Sequence, residues 1–468
     1  MQDYKPDSRE FVFDTYRFDL VNLQAYFYYS IQDKNDPKNM LLFEEVIDFD
    51  DGNFDLRENI DYDLRENIDY DILDNILFHL HIALGISYYK LYPTEKLIIK
   101  SGIIDEISIR FWKKFYQNWL WEFLFTNEIK PHNLFNFEIQ SNKEIKKKEY
   151  DLTERALVAV GGWKDSIVSL ELVRKLKVEF DTFVFWKVDP IKQKCIKQTG
   201  RNNMIISREI SENLFTINDS WEYFNGHVPI TGIIAFVMQA AWYLYDYKYF
   251  VLSNEHSANF GNTHWEGIEI NHQWSKSLEF EIEFSQYIQK NVSSNSHYFS
   301  LLRPLYEIKI AELFTKVWKK YFDSFSSCNN NFKVYEQSNH KWLWCNNCPK
   351  CAFVYSMLHP FLEEKEMKKI FWKDLYSDKK LQELFEELMG ISWIKPFECV
   401  WTNEEVIYAM YLSYKKLADT QKPYILEIFE EAVLPNLHDM ELERLRKKLF
   451  SHYNTVNIPE RFKKIYWE

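Results

Sequence analysis

Apolar and polar residues alternate from Phe11 to Tyr29, the period-two pattern of half-buried strands. The period then changes. Leu73 to Tyr92 and Ile107 to Phe125 carry apolar residues at three- and four-residue intervals and predict helices. Ala156 to Val160 is a short unbroken apolar run, as in a buried strand, and Gly161 and Gly162 end it. From Lys164 onward, Ile167, Leu170, Val173 and Leu176 mark an amphipathic helix with Asp165 and Ser166 in its first turn. Phe180 to Val188 predicts a strand, Ile205 to Ile217 has room for another, and Ile230 to Trp242 predicts a helix. Tyr249 to Ser253 is again a strand, ending in Asn254-Glu255-His256-Ser257-Ala258-Asn259. Strand and helix in this alternation predict an α/β fold, a parallel sheet with helices on both faces.

Beyond a helix over Leu278 to Gln289, the chain from about residue 295 predicts helices at Leu301–Phe322, Ala352–Leu362, Asp374–Leu388, Asn403–Leu417 and Pro423–Leu434. Asn142 to Glu149 is charged throughout its centre and predicts a solvated linker. The expected organisation is an N-terminal α+β domain over 1–148, an α/β domain over 149–292 and a mainly helical region with a cysteine cluster over 293–468. An eight-residue tandem repeat, Asp-Leu-Arg-Glu-Asn-Ile-Asp-Tyr at 55–62 and 63–70, is too short for a solenoid and predicts a surface segment or helix.

Charge and composition narrow the function. The 468 residues carry a net charge of −13, a poor balance for nonspecific nucleic-acid binding. The N-terminus, Met-Gln-Asp-Tyr-Lys-Pro-Asp, is polar and predicts no signal peptide. No stretch reaches the roughly 20 apolar residues of a membrane span; the nearest, Ile76 to Tyr92, contains His79, His81 and Lys90. Four of six cysteines, Cys328, Cys345, Cys348 and Cys351, lie in one cluster, which points to a metal site in a reducing cytoplasm rather than to disulfides. Their close spacing suits one tetrahedral Zn²⁺, with an iron–sulfur cluster or free thiols as alternatives. Cys195 and Cys399 are isolated.

Two other groups of residues carry chemistry. The strand–Gly161-Gly162–helix junction offers free N–H groups and the positive end of a helix dipole, a phosphate-binding arrangement to which Lys164 adds charge and Ser166 a hydroxyl. Asp165 would help hold Mg²⁺ there, or simply cap the helix. Glu255, His256 and His272 are the acid–base candidates, with loop hydrogen bonding as the alternative role. Lys276, in Asn271-His272-Gln273-Trp274-Ser275-Lys276-Ser277, would bind phosphate or carboxylate, or cap a helix in solvent.

Gly-Gly-x-Lys-Asp-Ser at 161–166 resembles the pyrophosphate loop of ATP pyrophosphatases, which split ATP into AMP and pyrophosphate; it does not match a Walker loop. Together with residues 253–262, 271–277, Cys-Asn-Asn-Cys-Pro-Lys-Cys at 345–351 and Pro-Phe-Glu-Cys-Val at 396–400, it makes the chain resemble the UDP-N-acetyl-α-D-muramoyl-L-alanyl-L-glutamate epimerases of bacterial peptidoglycan synthesis. The likeness runs from Gly-Ile-Ser-Tyr-Tyr-Lys (85–90) to about residue 410. It implies a pyrophosphate-loop core, consumption of ATP with Mg²⁺, and release of AMP and pyrophosphate. It also implies a UDP-MurNAc-dipeptide substrate, with no nucleic acid, membrane or obligatory protein partner. Gly161, Gly162, Lys164, Asp165 and Ser166 would then grip phosphates and Mg²⁺, and Glu255 or His272 would move protons. Other readings are a pyrophosphate-loop enzyme of the 7-deazaguanine- or tRNA-modifying type, which the acidic charge disfavours, and a nucleotide-binding protein without activity.

The departures from the family pattern share a form. Trp163, Trp401, Trp119 and Trp121 stand where the resemblance leads one to expect glycine. The chain has 11 glycines, far below the usual ~7% of residues, and 16 tryptophans. The Asn-, Lys-, Ile- and Tyr-rich composition fits an AT-rich genome. One cause would account for all of this: a source that reads UGA as glycine, and a translation that reads it as tryptophan.

Overall fold

In a computed structural model, the described residues are 4–36, 38–50, 68–218, 222–226, 228–261, 263–265, 268–271, 273–317, 319–331, 343–391, 402–453 and 456–466. All but the last three residues of the tandem repeat, and also His272, Cys399 and Trp401, lie outside them.

Ten strands form one sheet. In chain order they are β1 (Arg9–Asp19), β2 (Gln24–Asp33), β3 (Met40–Asp48), β4 (Lys96–Ile99), β5 (Asn136–Ile139), β6 (Ala156–Ala159), β7 (Phe180–Phe185), β8 (Asn203–Glu209), β9 (Tyr249–Leu252) and, after a small hairpin of β10 (Thr263–Trp265) and β11 (Ile268–Ile270), β12 (His297–Ser300). The order across the sheet is β12-β9-β6-β7-β8-β3-β2-β1-β4-β5. The five strands from β12 to β8 are parallel, β8, β3, β2 and β1 pair antiparallel, and β1, β4 and β5 are parallel. The fold is therefore α/β with a mostly parallel sheet, and the sheet continues unbroken from the N-terminal strands into those after residue 149.

The helices that matter below are α1 (Tyr70–Leu84), α2 (Glu106–Thr126), α3 (Lys164–Lys175), α4 (Pro190–Thr199), α5 (Ile230–Tyr245), α6 (Leu278–Asn291), α7 (Glu307–Val317), α8 (Pro349–Leu358) and α9 (Asn403–Lys416). They cover both faces of the sheet, and the period-two pleat divides the strand residues between two cores. Leu157, Phe183, Phe185, Met204 and Ile206 join Trp112, Phe236 and Phe280 on one side. Ala156, Val158, Val160 and Val184 join Ile167, Leu170, Phe314 and Phe353 on the other. A strand buried on both faces reads as an apolar run rather than as an alternation, which is why β6, β7 and β9 show no polar period.

Leu301 to Tyr306 is not helical; it is the turn that follows β12, and helix α7 starts only at Glu307. His297 to Ser300 is too short for its period to show, and pairing with β9 makes it a strand. The charged 142–149 segment is fastened rather than free. Lys148 pairs with Asp69 and Asp71 at the start of α1, Lys143 with Asp74, and Glu149 accepts hydrogen bonds from Ser294.

At the β3–β8 seam, Arg208 grips Glu45 with two hydrogen bonds of 2.6 and 3.1 Å and also reaches Ser87 Oγ at 2.7 Å. Both charged groups are fully buried. Removing one partner leaves the other charge unpaired in a dry interior, at a cost of about 3–5 kcal/mol, whereas replacing both with apolar residues costs far less. Urea unfolding should therefore show Glu45→Met strongly destabilised and the Glu45→Met/Arg208→Met double variant largely restored. Equal loss in the two would refute this account of the seam.

Candidate functional site

The chain runs β6, β7, β8 outward in one direction, then returns to place β9 and β12 on the other side of β6. The strand order thus reverses between β6 and β9, and in open parallel sheets that reversal opens a crevice beyond the carboxyl ends. The loops after β6 and β9 both lie there. Ser253 Oγ meets Ser169 Oγ of α3 at 2.8 Å, and Asn254 donates to Ser300 Oγ at the carboxyl end of β12 at 3.0 Å.

The loop after β6 turns sharply. Gly162 has φ of +80°, a conformation that side chains rarely adopt, and a Cβ there would meet Ile191 at 3.0 Å. A Cβ on Gly161 would meet nothing within 4 Å, so the space above that peptide is open. Trp163 occupies the N-cap of α3 in ordinary extended backbone (φ −91°, ψ 159°), so its conformation does not demand glycine. Ser166 Oγ donates back to the Trp163 carbonyl at 2.9 Å and closes the first turn.

Lys164 and Asp165 are both buried. The Lys164 ammonium donates to Asp165 Oδ1 at 2.7 Å and to Glu307 Oε2, at the first position of α7. Glu255, at the end of the β9 loop, is buried beside them. Burial and the neighbouring Asp165 carboxylate raise the pKa values of both Glu255 and Glu307, with Lys164 and, for Glu255, Lys276 opposing. Burial would lower the Lys164 pKa, but the Asp165 and Glu307 carboxylates override it and keep the amine charged. Lys164 thus pairs directly with two carboxyl groups, and the third, Glu255, feels both Lys276 and Lys164.

Two further residues hold this arrangement. Arg303 donates to the carbonyls of Glu255 (2.8 Å) and Lys276 (2.7 Å) and pairs with buried Glu281 at 2.9 Å, so one guanidinium joins the two polar loops. Glu405 accepts hydrogen bonds from Ser257 Oγ (2.7 Å), the Glu307 N–H (2.8 Å) and Thr402 N (3.0 Å). The structure therefore brings Gly161, Gly162, Lys164, Asp165, Ser166, Glu255 and Lys276 to one place. It adds Glu307, Glu405 and Arg303, which sequence reasoning missed. One signal was available: Arg303 and Glu307 are the only charged residues between Phe299 and Ile308. His256 instead stacks on Tyr453, 4.2 Å between ring centres, and contacts Tyr306. Burial, and then Arg303, hold its pKa down at about 4.

The four cysteine sulfurs, Cys328, Cys345, Cys348 and Cys351, lie within 4.8 Å of one another, with Cys351 Sγ 3.7 Å from Cys345 and 3.5 Å from Cys348. Two thiolates on one tetrahedral zinc at about 2.3 Å lie ~3.8 Å apart, so the donors fit such an ion, whereas a disulfide would need ~2.05 Å. The cluster adjoins the glycine turn: Ser326 N donates to the Gly162 carbonyl at 3.0 Å.

Two lysines face the Trp163 indole, Lys350 at 4.0 Å and Lys276 at 5.2 Å from the ring centre. Trp119 and Trp121 are buried on α2. Among the described residues Trp119 Nε1 has no hydrogen-bond partner, and its ring lies where a Cβ on Gly232 would come within 2.4 Å. A buried indole normally satisfies its N–H. If UGA is read as glycine in the source, the codon at 163 is UGA and the mass of the native protein shows glycine there; a UGG codon rejects the idea.

A pH test follows from the buried carboxyls. A carboxyl whose pKa is higher folded than unfolded favours the folded state fully below its unfolded pKa and loses that contribution as pH rises through the folded value. Glu255→Gln should therefore raise Tm relative to the native chain at pH 8 by more than at pH 4.5. A Tm difference that does not change with pH would contradict the raised carboxyl.

Residues 2–301 match the family described as the MurL N-terminal domain, and residues 324–443 match the MurL C-terminal domain. A UDP-N-acetyl-alpha-D-muramoyl-L-alanyl-L-glutamate epimerase of Xanthomonas oryzae pv. oryzae is 33% identical over 370 residues, 78% of this chain and 80% of its own. Proteins of the same name from a Micromonospora species and Salinispora tropica are 33% identical over 406 residues, 86% of this chain and 86% and 84% of theirs.

Proposed function

The chain belongs to the UDP-N-acetyl-alpha-D-muramoyl-L-alanyl-L-glutamate epimerase family, and from that membership we propose that it inverts the terminal L-Glu of UDP-MurNAc-L-Ala-L-Glu to D-Glu at the β6–β9 crevice, at the expense of ATP. The observation that carries the reading is the buried Lys164–Asp165–Glu307–Glu255 cluster beside the open Gly161 peptide at the N-terminus of α3.

The chemistry explains the need for ATP. The α-proton beside a carboxylate is very weakly acidic, because its removal would build a second negative charge on the same group. Attack of the α-carboxylate oxygen on the α-phosphorus of ATP expels pyrophosphate and leaves an acyl-adenylate whose carbonyl carbon no longer bears a carboxylate charge. The adjacent C–H is then acid enough for a protein base. Return of a proton on the opposite face inverts the centre, and water splits the adenylate to UDP-MurNAc-L-Ala-D-Glu and AMP.

In this reading the Gly161 and Gly162 peptides, the α3 N-terminus and Lys164 hold the phosphates. Asp165 and Ser166 would hold Mg²⁺, which supplies neutralisation of phosphate charge when bound. Glu255 moves the Cα proton: burial shifts its pKa up toward the working pH, as a general base requires. Lys276 opposes the substrate's negative charge, and His272 is the candidate for the second face. A Zn²⁺ ion on Cys328, Cys345, Cys348 and Cys351 is structural.

Asp165→Ala should lower AMP formation from ATP and UDP-MurNAc-L-Ala-L-Glu by about 10²–10³-fold, with D-Glu lost in parallel. Chiral analysis of the released glutamate and quantification of AMP read both. Full turnover by this variant would remove ATP from the assigned loop.

A further inference from the structure

We infer that Lys350, carried by the four-cysteine centre, is a phosphate-binding residue of the crevice. The inference rests on the ATP reading of the Gly161–Ser166 loop and adds a residue from outside the α/β core.

Lys350 is the second residue of α8, between Cys348 and Cys351. The residue is only 7% exposed. Among the described residues it has no carboxylate partner, and its ammonium lies 4.0 Å from the centre of the Trp163 ring. A buried lysine is normally paired, because a desolvated charge is costly. An aromatic face compensates only part of that cost. The remainder calls for an anion, and the ammonium is aimed at the residue that follows Gly161-Gly162, where the α3 N-terminus presents its own free N–H groups. Lys276 approaches the same ring from the other polar loop. Both ammonium groups thus converge on the volume of the Trp163 indole, which glycine at 163 would leave to the oxygens of a pyrophosphate or a triphosphate tail.

The cysteine centre explains how Lys350 is placed. Cys345, Cys348 and Cys351 bracket it within seven residues, and the fourth sulfur comes from Cys328, whose N–H is held by Ser326 Oγ at 3.1 Å. Ser326 N also binds the Gly162 carbonyl, and Cys195 of α4 donates to the Ser324 carbonyl at 2.9 Å. One short segment, 324–328, therefore holds the glycine turn and supplies a metal ligand. An ion on the four sulfurs would fix Lys350 and the Gly162 peptide in a common frame.

The test uses the full chain with its zinc content measured, and inorganic pyrophosphate, ATP and adenosine as probes in calorimetry. Lys350→Gln should weaken pyrophosphate and ATP roughly tenfold to a hundredfold, as expected for loss of a charged hydrogen bond, and leave adenosine affinity and zinc content unchanged. Lys350→Arg should restore most of the loss. In Cys348→Ser, or after chelation of the native chain, the Lys350→Gln effect should largely disappear. Native ATP affinity in Lys350→Gln overturns the assignment while leaving the ATP site standing, as does equal loss of all three probes together with zinc. A native chain that binds neither ATP nor pyrophosphate overturns both. An undiminished Lys350→Gln effect without metal, or a native chain without zinc, refutes the link to the cysteines.

Discussion

Burial of Lys164, Asp165, Glu255 and Glu307 at the carboxyl ends of β6 and β9 is the constraint that shapes the rest of the site. Lys164 pairs directly with Asp165 and Glu307, and Lys276 and Lys164 both act on Glu255, so the cluster balances buried charges of both signs. Burial, and then the Asp165 carboxylate, favour the protonated form of both Glu255 and Glu307 and raise their pKa values. Two further residues hold the arrangement. Glu405 takes the Glu307 N–H and Ser257 hydroxyl, and Arg303 takes the Glu255 carbonyl. These contacts draw α7, α9 and the β9 loop around one point.

The α/β core was legible because its elements are local. The apolar run of β6, the glycine pair and the amphipathic α3 each announce themselves within a few residues, and the parallel sheet follows from their alternation. The short strands β4, β5 and β12 were not legible. Four residues such as His297–Ser300 carry no measurable period, and only pairing with β9 defines them. Loop residues were legible in part. Glu255 and Lys276 lie in visibly polar runs, whereas Glu307 and Glu405 head ordinary-looking helices 98 residues apart and acquire their roles by meeting in space.

The cysteine cluster shows the same division. Its spacing announces a metal-sized cage, but nothing in the spacing says which part of the chain the cage braces. That comes from Ser326, an unremarkable serine whose N–H reaches the Gly162 carbonyl. Lys350 is similar: beside two cysteines it looks like a solvent-exposed filler, and the fold buries it against Trp163.

The β3–β8 seam carries a mechanical consequence. The N-terminal strands hydrogen-bond directly to the strands of the crevice, and Arg208 pins Glu45 across the join, so the two halves share one continuous sheet. Pulling the two halves apart would break the β3–β8 backbone hydrogen bonds and the Arg208–Glu45 pair together, so the join yields all at once or not at all.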